Sequence, residues 1–177
     1  MRQFVVISGC SGGGKSTLLT ELSRRGYSVV EEPGRRIIAD ELNAAGNALP
    51  WIDLAAFARK AIEVSLNDLQ QAANNNGWTF FDRGLVDAAA ALEFATGERV
   101  IERLCFDNRY ADLVFVVPPW PEIYIQDNER KHSLDMAIAE YERLLATYHF
   151  LNYQVEVLPK TNVSDRADLI LQRLKSL

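Results

Sequence analysis

Gly9-Cys10-Ser11-Gly12-Gly13-Gly14-Lys15-Ser16-Thr17 follows the apolar run Phe4-Val5-Val6-Ile7 and precedes Leu18, Leu19 and Leu22. The spacing is G-x-x-x-x-G-K-[ST], set between a β-branched run and an amphipathic helical pattern. Glycine tolerates positive φ, so successive backbone N–H groups can turn inward around an anion. A helix beginning near Lys15 aims the positive end of its dipole at the same point. Gly9, Ser11, Gly12, Gly13, Gly14, Lys15, Ser16 and Thr17 are therefore the candidate phosphate cradle. Lys15 is expected to reach the β- and γ-phosphates of a nucleotide, and the Ser16 hydroxyl to ligate Mg²⁺.

Outward from this loop the same alternation repeats. Apolar runs over residues 4–8, 27–31, 78–81, 113–117 and 153–158 have the length and continuity of strands in a parallel sheet. Helical patterns lie between them. One covers residues 15–25 and stops before Gly26; a long one after Pro50 is marked by Leu54, Ala58, Ala61, Ile62, Leu66 and Leu69. Leu134, Ile138, Tyr141, Leu145 and Tyr148 mark another, with Ser133 as its N-cap, and Ala167, Ile170 and Leu174 mark the last. The pattern predicts an α/β fold with a five-stranded parallel sheet, right-handed crossovers and helices on both faces. Ligands of such sheets bind beyond the carboxyl ends of the strands, so the residues just after each strand are the ones that carry chemistry.

The second run ends in Glu31-Glu32-Pro33-Gly34-Arg35-Arg36. A carboxylate there can accept the proton of an attacking hydroxyl, and an arginine just beyond can clamp a phosphate. Glu32 and Arg35 adjoin the turn and are preferred over Glu31 and Arg36. The third run ends in Phe80-Phe81-Asp82-Arg83-Gly84. An acid in this place holds Mg²⁺, usually through a water, and Arg83 beside it can bind a phosphate of donor or acceptor. The bland alternatives are a solvated acidic turn for Glu32 and a helix N-cap for Asp82.

After the fourth run come Pro118-Pro119-Trp120-Pro121 and then the polar stretch Gln126-Asp127-Asn128-Glu129-Arg130-Lys131-His132. This reads as a short lid that excludes water and brings in Arg130 as the transition-state cation, against a plain solvated loop. Residues 159–163, after the fifth run, are placed to meet a base or ribose. Phe57 and Arg59 are candidates to line an acceptor pocket, with core packing as the alternative for Phe57. Trp51, Trp78 and Trp120 lack the spacing of a stacking platform, and His132 and His149 fit no metal pattern.

The chain has 177 residues, 48% hydrophobic and 24% charged, with a formal net charge of −5. These values predict one domain over residues 1–177. The acidic balance argues against a nucleic-acid partner, but a few local groups suffice to hold a small anion. No stretch approaches the roughly 18 apolar residues of a membrane span, and the amino-terminal run is too short for a signal peptide. Cys10 and Cys105 form no CxxC pair; a disulfide framework and a zinc site are not expected, and the thiols fit the cytoplasm. Cys10 reads as a small filler within the loop rather than a redox position.

Taken together, the motifs resemble those of P-loop small-molecule kinases. Glu32-Pro33-Gly34 with Arg35 is similar to the acceptor-phosphate motif of thymidylate kinases, and Glu32-Pro33 to the glutamate–proline of deoxynucleoside kinases, where the glutamate is the base. Asp82-Arg83 resembles the Asp-Arg pair after strand three of thymidylate kinases, which usually carry a glycine where Arg35 stands and an aromatic or His where Gly84 stands. From Phe4 to about Leu174 the chain most resembles the AAA-domain family that includes the nicotinamide-riboside kinase domain and a trafficking protein of fly photoreceptors. Phe115-Val116-Val117-Pro118-Pro119-Trp120 and the ending around residues 153–166 belong to that resemblance. It implies a three-layer P-loop NTPase fold with a short lid.

The expected function is ATP- and Mg²⁺-dependent transfer of the γ-phosphate to a small, nucleoside-like or nucleotide acceptor. Lys15, Glu32, Asp82 and Arg130 would be catalytic, with Glu32 or Asp82 accepting the acceptor's proton, Ser16 and Asp82 metal-binding, and Arg35, Arg83 and Phe57 substrate-binding. The alternative is a nucleotide-dependent regulatory protein with slow or partner-dependent hydrolysis. Asn162-Val163-Ser164-Asp165 lacks the lysine of a guanine-reading motif, which favours ATP over GTP.

Overall fold

The structure, a computed structural model, describes residues 3–123 and 133–176. Five strands, β1 (Phe4–Gly9), β2 (Ser28–Val30), β3 (Thr79–Asp82), β4 (Leu113–Val117) and β5 (Gln154–Val157), form one sheet in the order β2-β3-β1-β4-β5. Every adjacent pair is parallel. Between them run α1 (Lys15–Arg24), α2 (Pro33–Ala44), α3 (Leu54–Ala72), α4 (Leu85–Thr96), α5 (Ile101–Cys105), α6 (Leu134–Phe150) and α7 (Val163–Lys175).

Side chains of the central strands alternate between two cores, as the period of a strand requires. Val6, Phe81, Val114 and Val116 face α3, α4 and α6. Val5, Ile7, Phe80, Leu113, Phe115 and Val117 face α1 and α7. Helices therefore cover both faces. The strands expected to be buried are so in β1, β3 and β4; β2 and β5 are only partly covered, because each edge strand has one neighbour.

Local chemistry sets the helix ends. Asp53 accepts the Ala56 N–H at 2.9 Å to cap α3, and Ser133 accepts the Met136 N–H at 3.3 Å to cap α6. Pro33 occupies the first turn of α2, where its missing N–H costs nothing. α1 ends before Gly26, whose φ of 90° carries the chain toward β2. The single-turn α5 is too short for periodicity to reveal. Among the described residues no helix is long and apolar enough to cross a membrane.

With β1 in the middle of the sheet, the residues after it sit over the carboxyl edge, flanked by the ends of β3 and β4. Arg83 N–H donates to the Ile7 carbonyl at 3.0 Å and Cys10 N–H to the Val117 carbonyl at 3.0 Å. The three strand ends are thus tied together where the chemistry is expected.

Candidate active site

Gly9, Gly12 and Gly14 have φ of 113°, 78° and 81°, the left-handed region that favours glycine. A Cβ on Gly9 would stand 2.3 Å from the Val117 carbonyl oxygen. Gly9 and Gly13 thus let the loop pack on β4, whereas Ser11, Gly12, Gly14, Lys15, Ser16 and Thr17 line a cavity of about 740 Å³. Gly14 is the N-cap of α1 and has no side chain to cap it, so the first N–H groups of the helix remain for a ligand. Cys10 is buried, and burial pushes its thiol up, away from reactivity.

Lys15 lines the cavity, and its Nζ is 4.0 Å from Asp82 Oδ1. Asp82 ends β3 behind Lys15 and does not itself line the cavity. Burial pushes its carboxyl up to about 6, with Glu32 adding to the rise and Lys15, Arg83 and Arg35 opposing it. Oδ1 of Asp82 is buried with no hydrogen-bond donor among the described residues. A carboxylate oxygen without a donor and the hydroxyl of the exposed Ser16 are hard oxygen donors, the kind that suits Mg²⁺. Among the described residues no three His, Cys, Asp or Glu side chains form a metal cage. Mg²⁺ that travels with phosphates needs only one or two protein oxygens.

Arg83 joins several of the groups around the cavity. Its φ of 59° is unusual for a residue with a side chain, a strain that persists only where surroundings enforce it. Nη1 donates to Glu140 Oε1 at 2.8 Å, Nη2 to the Gly9 carbonyl at 3.1 Å, and Glu32 Oε1 lies 3.5 Å from Nε. Burial disfavours its charge, but Glu140, Glu32 and Asp87 together outweigh that and hold the guanidinium protonated.

Glu32 is the N-cap of α2, and its Oε2 accepts from Arg35 Nε at 3.2 Å. Glu32 and Arg35 both line the cavity. Arg36 turns away: it bonds both carboxylate oxygens of Asp68 and the Glu31 carbonyl. Phe57 lines the cavity and touches Gly34, whose added Cβ would be 3.1 Å from the ring. Arg59, expected as a pocket residue, instead pairs with Glu98 on the surface. It lies on the opposite side of α3 from the stripe of Leu54, Phe57, Ala58, Ala61 and Ser65 that walls the cavity. Thr161, Asn162 and Val163, within the stretch expected to meet a base or ribose, also line it, as does Trp120. Arg130 and the rest of the expected lid lie outside the described residues.

Asp87, Glu140 and Arg166 are among the lining residues that escaped the sequence reading. Asp87 accepts from Ser8 Oγ, from Tyr148 Oη at 2.7 Å and from Gly84 N–H at 3.2 Å. Glu140 comes from α6 to hold Arg83. Arg166, on α7, donates from Nη1 to the Gly13 carbonyl at 3.2 Å. Only Arg166 had a signal: it interrupts the apolar stripe of Val163, Ala167, Ile170 and Leu174 with a charge.

The model of the AAA domain family matches residues 4–166. No curated protein matches the chain in sequence. Among solved structures, deoxyadenosine kinase from M. mycoides with bound dATP is similar at 18% identity and a TM-score of 0.60, over 98% of this chain and 99% of that one. NadR protein in complex with NR is similar at 20% identity and a TM-score of 0.71, over 99% of this chain and 51% of that one, so the chain spans about half of NadR. At these identities the shared feature is the kinase-like P-loop fold.

Proposed function

The chain belongs to the AAA domain family, and from this premise we propose that it is a small-molecule kinase dependent on ATP and Mg²⁺, with a nucleoside-like hydroxyl compound as acceptor. The observation that carries this reading is one cavity joining the phosphate loop to Glu32, Arg35 and Arg83, and on to an apolar wall of Phe57, Ala58, Ala61, Ala88 and Ala91. Its volume of about 740 Å³ falls in the range of small-molecule sites. A regulatory nucleotide site needs the loop alone; an acid, two arginines and an apolar pocket facing it are the equipment of a second substrate. The folds of deoxyadenosine kinase and of the NadR protein solved with NR support the same reading.

In this proposal the loop N–H groups and Lys15 bind the donor phosphates; Ser16 and Asp82 would hold Mg²⁺, which would supply charge neutralisation. The acceptor hydroxyl attacks the γ-phosphorus, its proton passes to the Glu32 carboxylate, and the β–γ bridging bond breaks to release ADP. Arg35 orients the acceptor, and Arg83, with Nε 3.5 Å from Glu32 Oε1, holds the Glu32 side chain in place. Because Arg83 is already engaged by Glu140 and the Gly9 carbonyl, the acceptor end is better matched to a neutral hydroxyl than to a second phosphate.

A panel of nucleosides, ribosyl vitamins and nucleoside monophosphates with ATP and Mg²⁺, read as ADP release, tests this. Acceptor-stimulated ADP from a nucleoside-like compound supports the kinase. A flat panel with tight ATP binding overturns it in favour of a nucleotide-dependent regulatory protein.

A further inference from the structure

The described residues bury three cations, Lys15, Arg83 and Arg166. Lys15 faces Asp82 and Arg83 faces Glu140, but Arg166 has no carboxylate partner among the described residues. Its guanidinium carries five N–H donors. One is used on the Gly13 carbonyl, and Nε is buried with no hydrogen-bond partner among the described residues. An unpaired buried charge opposes folding, and it persists where a ligand supplies the counter-charge.

The placement says what that ligand is. Arg166 lines the cavity beside Gly12, Gly14 and Lys15. It lies so close to the loop that a Cβ on Gly14 would be 3.0 Å from Nη2. Its Cζ stands 5.5 Å from the centre of the Trp120 ring, which limits where the guanidinium can swing. A planar fork of donors beside a ring of backbone N–H groups suits polyphosphate oxygens.

We propose that Arg166 is a donor-site residue that binds the phosphate chain of the nucleotide from the α7 side, its charge on folding left for the ligand to neutralise. The inference rests on the donor half of the kinase reading and is independent of which acceptor is used. It predicts that affinity tracks the phosphate chain rather than the nucleoside.

The test compares wild type with Arg166→Met and Arg166→Gln, the latter still able to donate to the Gly13 carbonyl. Calorimetric titrations use ATP, inorganic tripolyphosphate and adenosine, with melting curves of the free proteins. Arg166→Met and Arg166→Gln should weaken ATP and tripolyphosphate by about tenfold or more, leave adenosine unchanged, and not lower the melting temperature of the free protein. A strut for the loop would give the reverse: a lower melting temperature with ATP and adenosine weakened alike. That result, wild-type ATP affinity in either variant, or failure of both variants to fold overturns the assignment. If wild type binds neither ATP nor tripolyphosphate, the donor site itself is wrong, a failure distinct from loss in the variants alone.

Discussion

Lys15 Nζ and Asp82 Oδ1 stand 4.0 Å apart, each on a side chain only 7% exposed. That is near enough for strong attraction in a poorly screened site and too far for a hydrogen bond. Each charge steadies the other, yet neither is consumed. Lys15→Ala should therefore do two things. On the proposed function, ATP affinity should fall by about tenfold or more, since the lysine would be the point charge at the phosphates. The free protein should also lose stability at pH 7, because Asp82 is left without its nearest cation. Titration calorimetry and urea denaturation read the two effects. Unchanged ATP affinity would remove Lys15 from the donor site.

The Asp82 carboxyl is raised to about 6 by burial, and that of Asp87 is raised by the same cause. A group whose pKa is higher in the folded state stabilises the fold below that pKa and loses the contribution as pH rises through it. The free protein should thus gain about 1 kcal/mol from Asp82 between pH 7 and pH 5. Glu41 and Glu98, held below the usual range by Lys60 and Arg59, act in the opposite sense only at lower pH. In Asp82→Asn the gain between pH 7 and pH 5 should shrink, and Mg²⁺-dependent turnover should be lost. Melting temperature against pH for both proteins checks the first part; retention of wild-type turnover would dismiss the metal role.

Glu32 is flanked by Arg35 at 3.2 Å and by Arg83 at 3.5 Å. Glu32→Gln keeps the shape and the N-cap position but cannot take a proton. Its kcat should drop about 10²–10⁴-fold, with the KM for ATP little changed. A drop confined to KM would make Glu32 a binding group instead.

The elements that were legible in the sequence are those whose signals are local. The continuous run Phe4-Val5-Val6-Ile7 and the spacing from Gly9 to Lys15 are written in adjacent residues, so the sheet class and the loop could be read directly. The rest of the cavity is assembled from distant ones. Glu140 meets Arg83 across 57 positions and Arg166 meets Gly13 across 153, and no periodicity joins such pairs. Arg59 was misplaced for a related reason. Its neighbour Phe57 does face the cavity, but two residues on a helix turn a side chain to the far side, where Glu98 takes it. The Arg35 or Arg36 alternative needed the tertiary position of Asp68.

Gly84 shows how tightly the end of β3 is packed. Its φ is extended, so the constraint is contact rather than strain. A Cβ there would stand 2.3 Å from the Tyr110 hydroxyl oxygen, which accepts the Leu85 N–H at 3.0 Å. Gly84→Ala should cost about 1–3 kcal/mol by overpacking. Tyr110→Phe should recover part of that loss in the double variant, because it removes the nearest colliding atom. Urea denaturation of the four-protein cycle measures the coupling; strict additivity would place the cost elsewhere.

Arg35 and Arg36 are adjacent yet should report on different properties. Arg35 is 39% exposed, lines the cavity and pairs with Glu32 alone among the described residues. Arg36 does not line the cavity, and it holds the buried Asp68 with two bonds. Removing Arg36 strands a buried carboxylate, so Arg36→Ala should cost about 1–3 kcal/mol of stability. Turnover per folded molecule should remain near wild type. Arg35→Ala strands nothing: stability should stay within about 0.5 kcal/mol while the acceptor KM rises by about tenfold. The two variants measured side by side by urea denaturation and steady-state kinetics should therefore show opposite profiles. A raised acceptor KM in Arg36→Ala with full stability would exchange the two assignments.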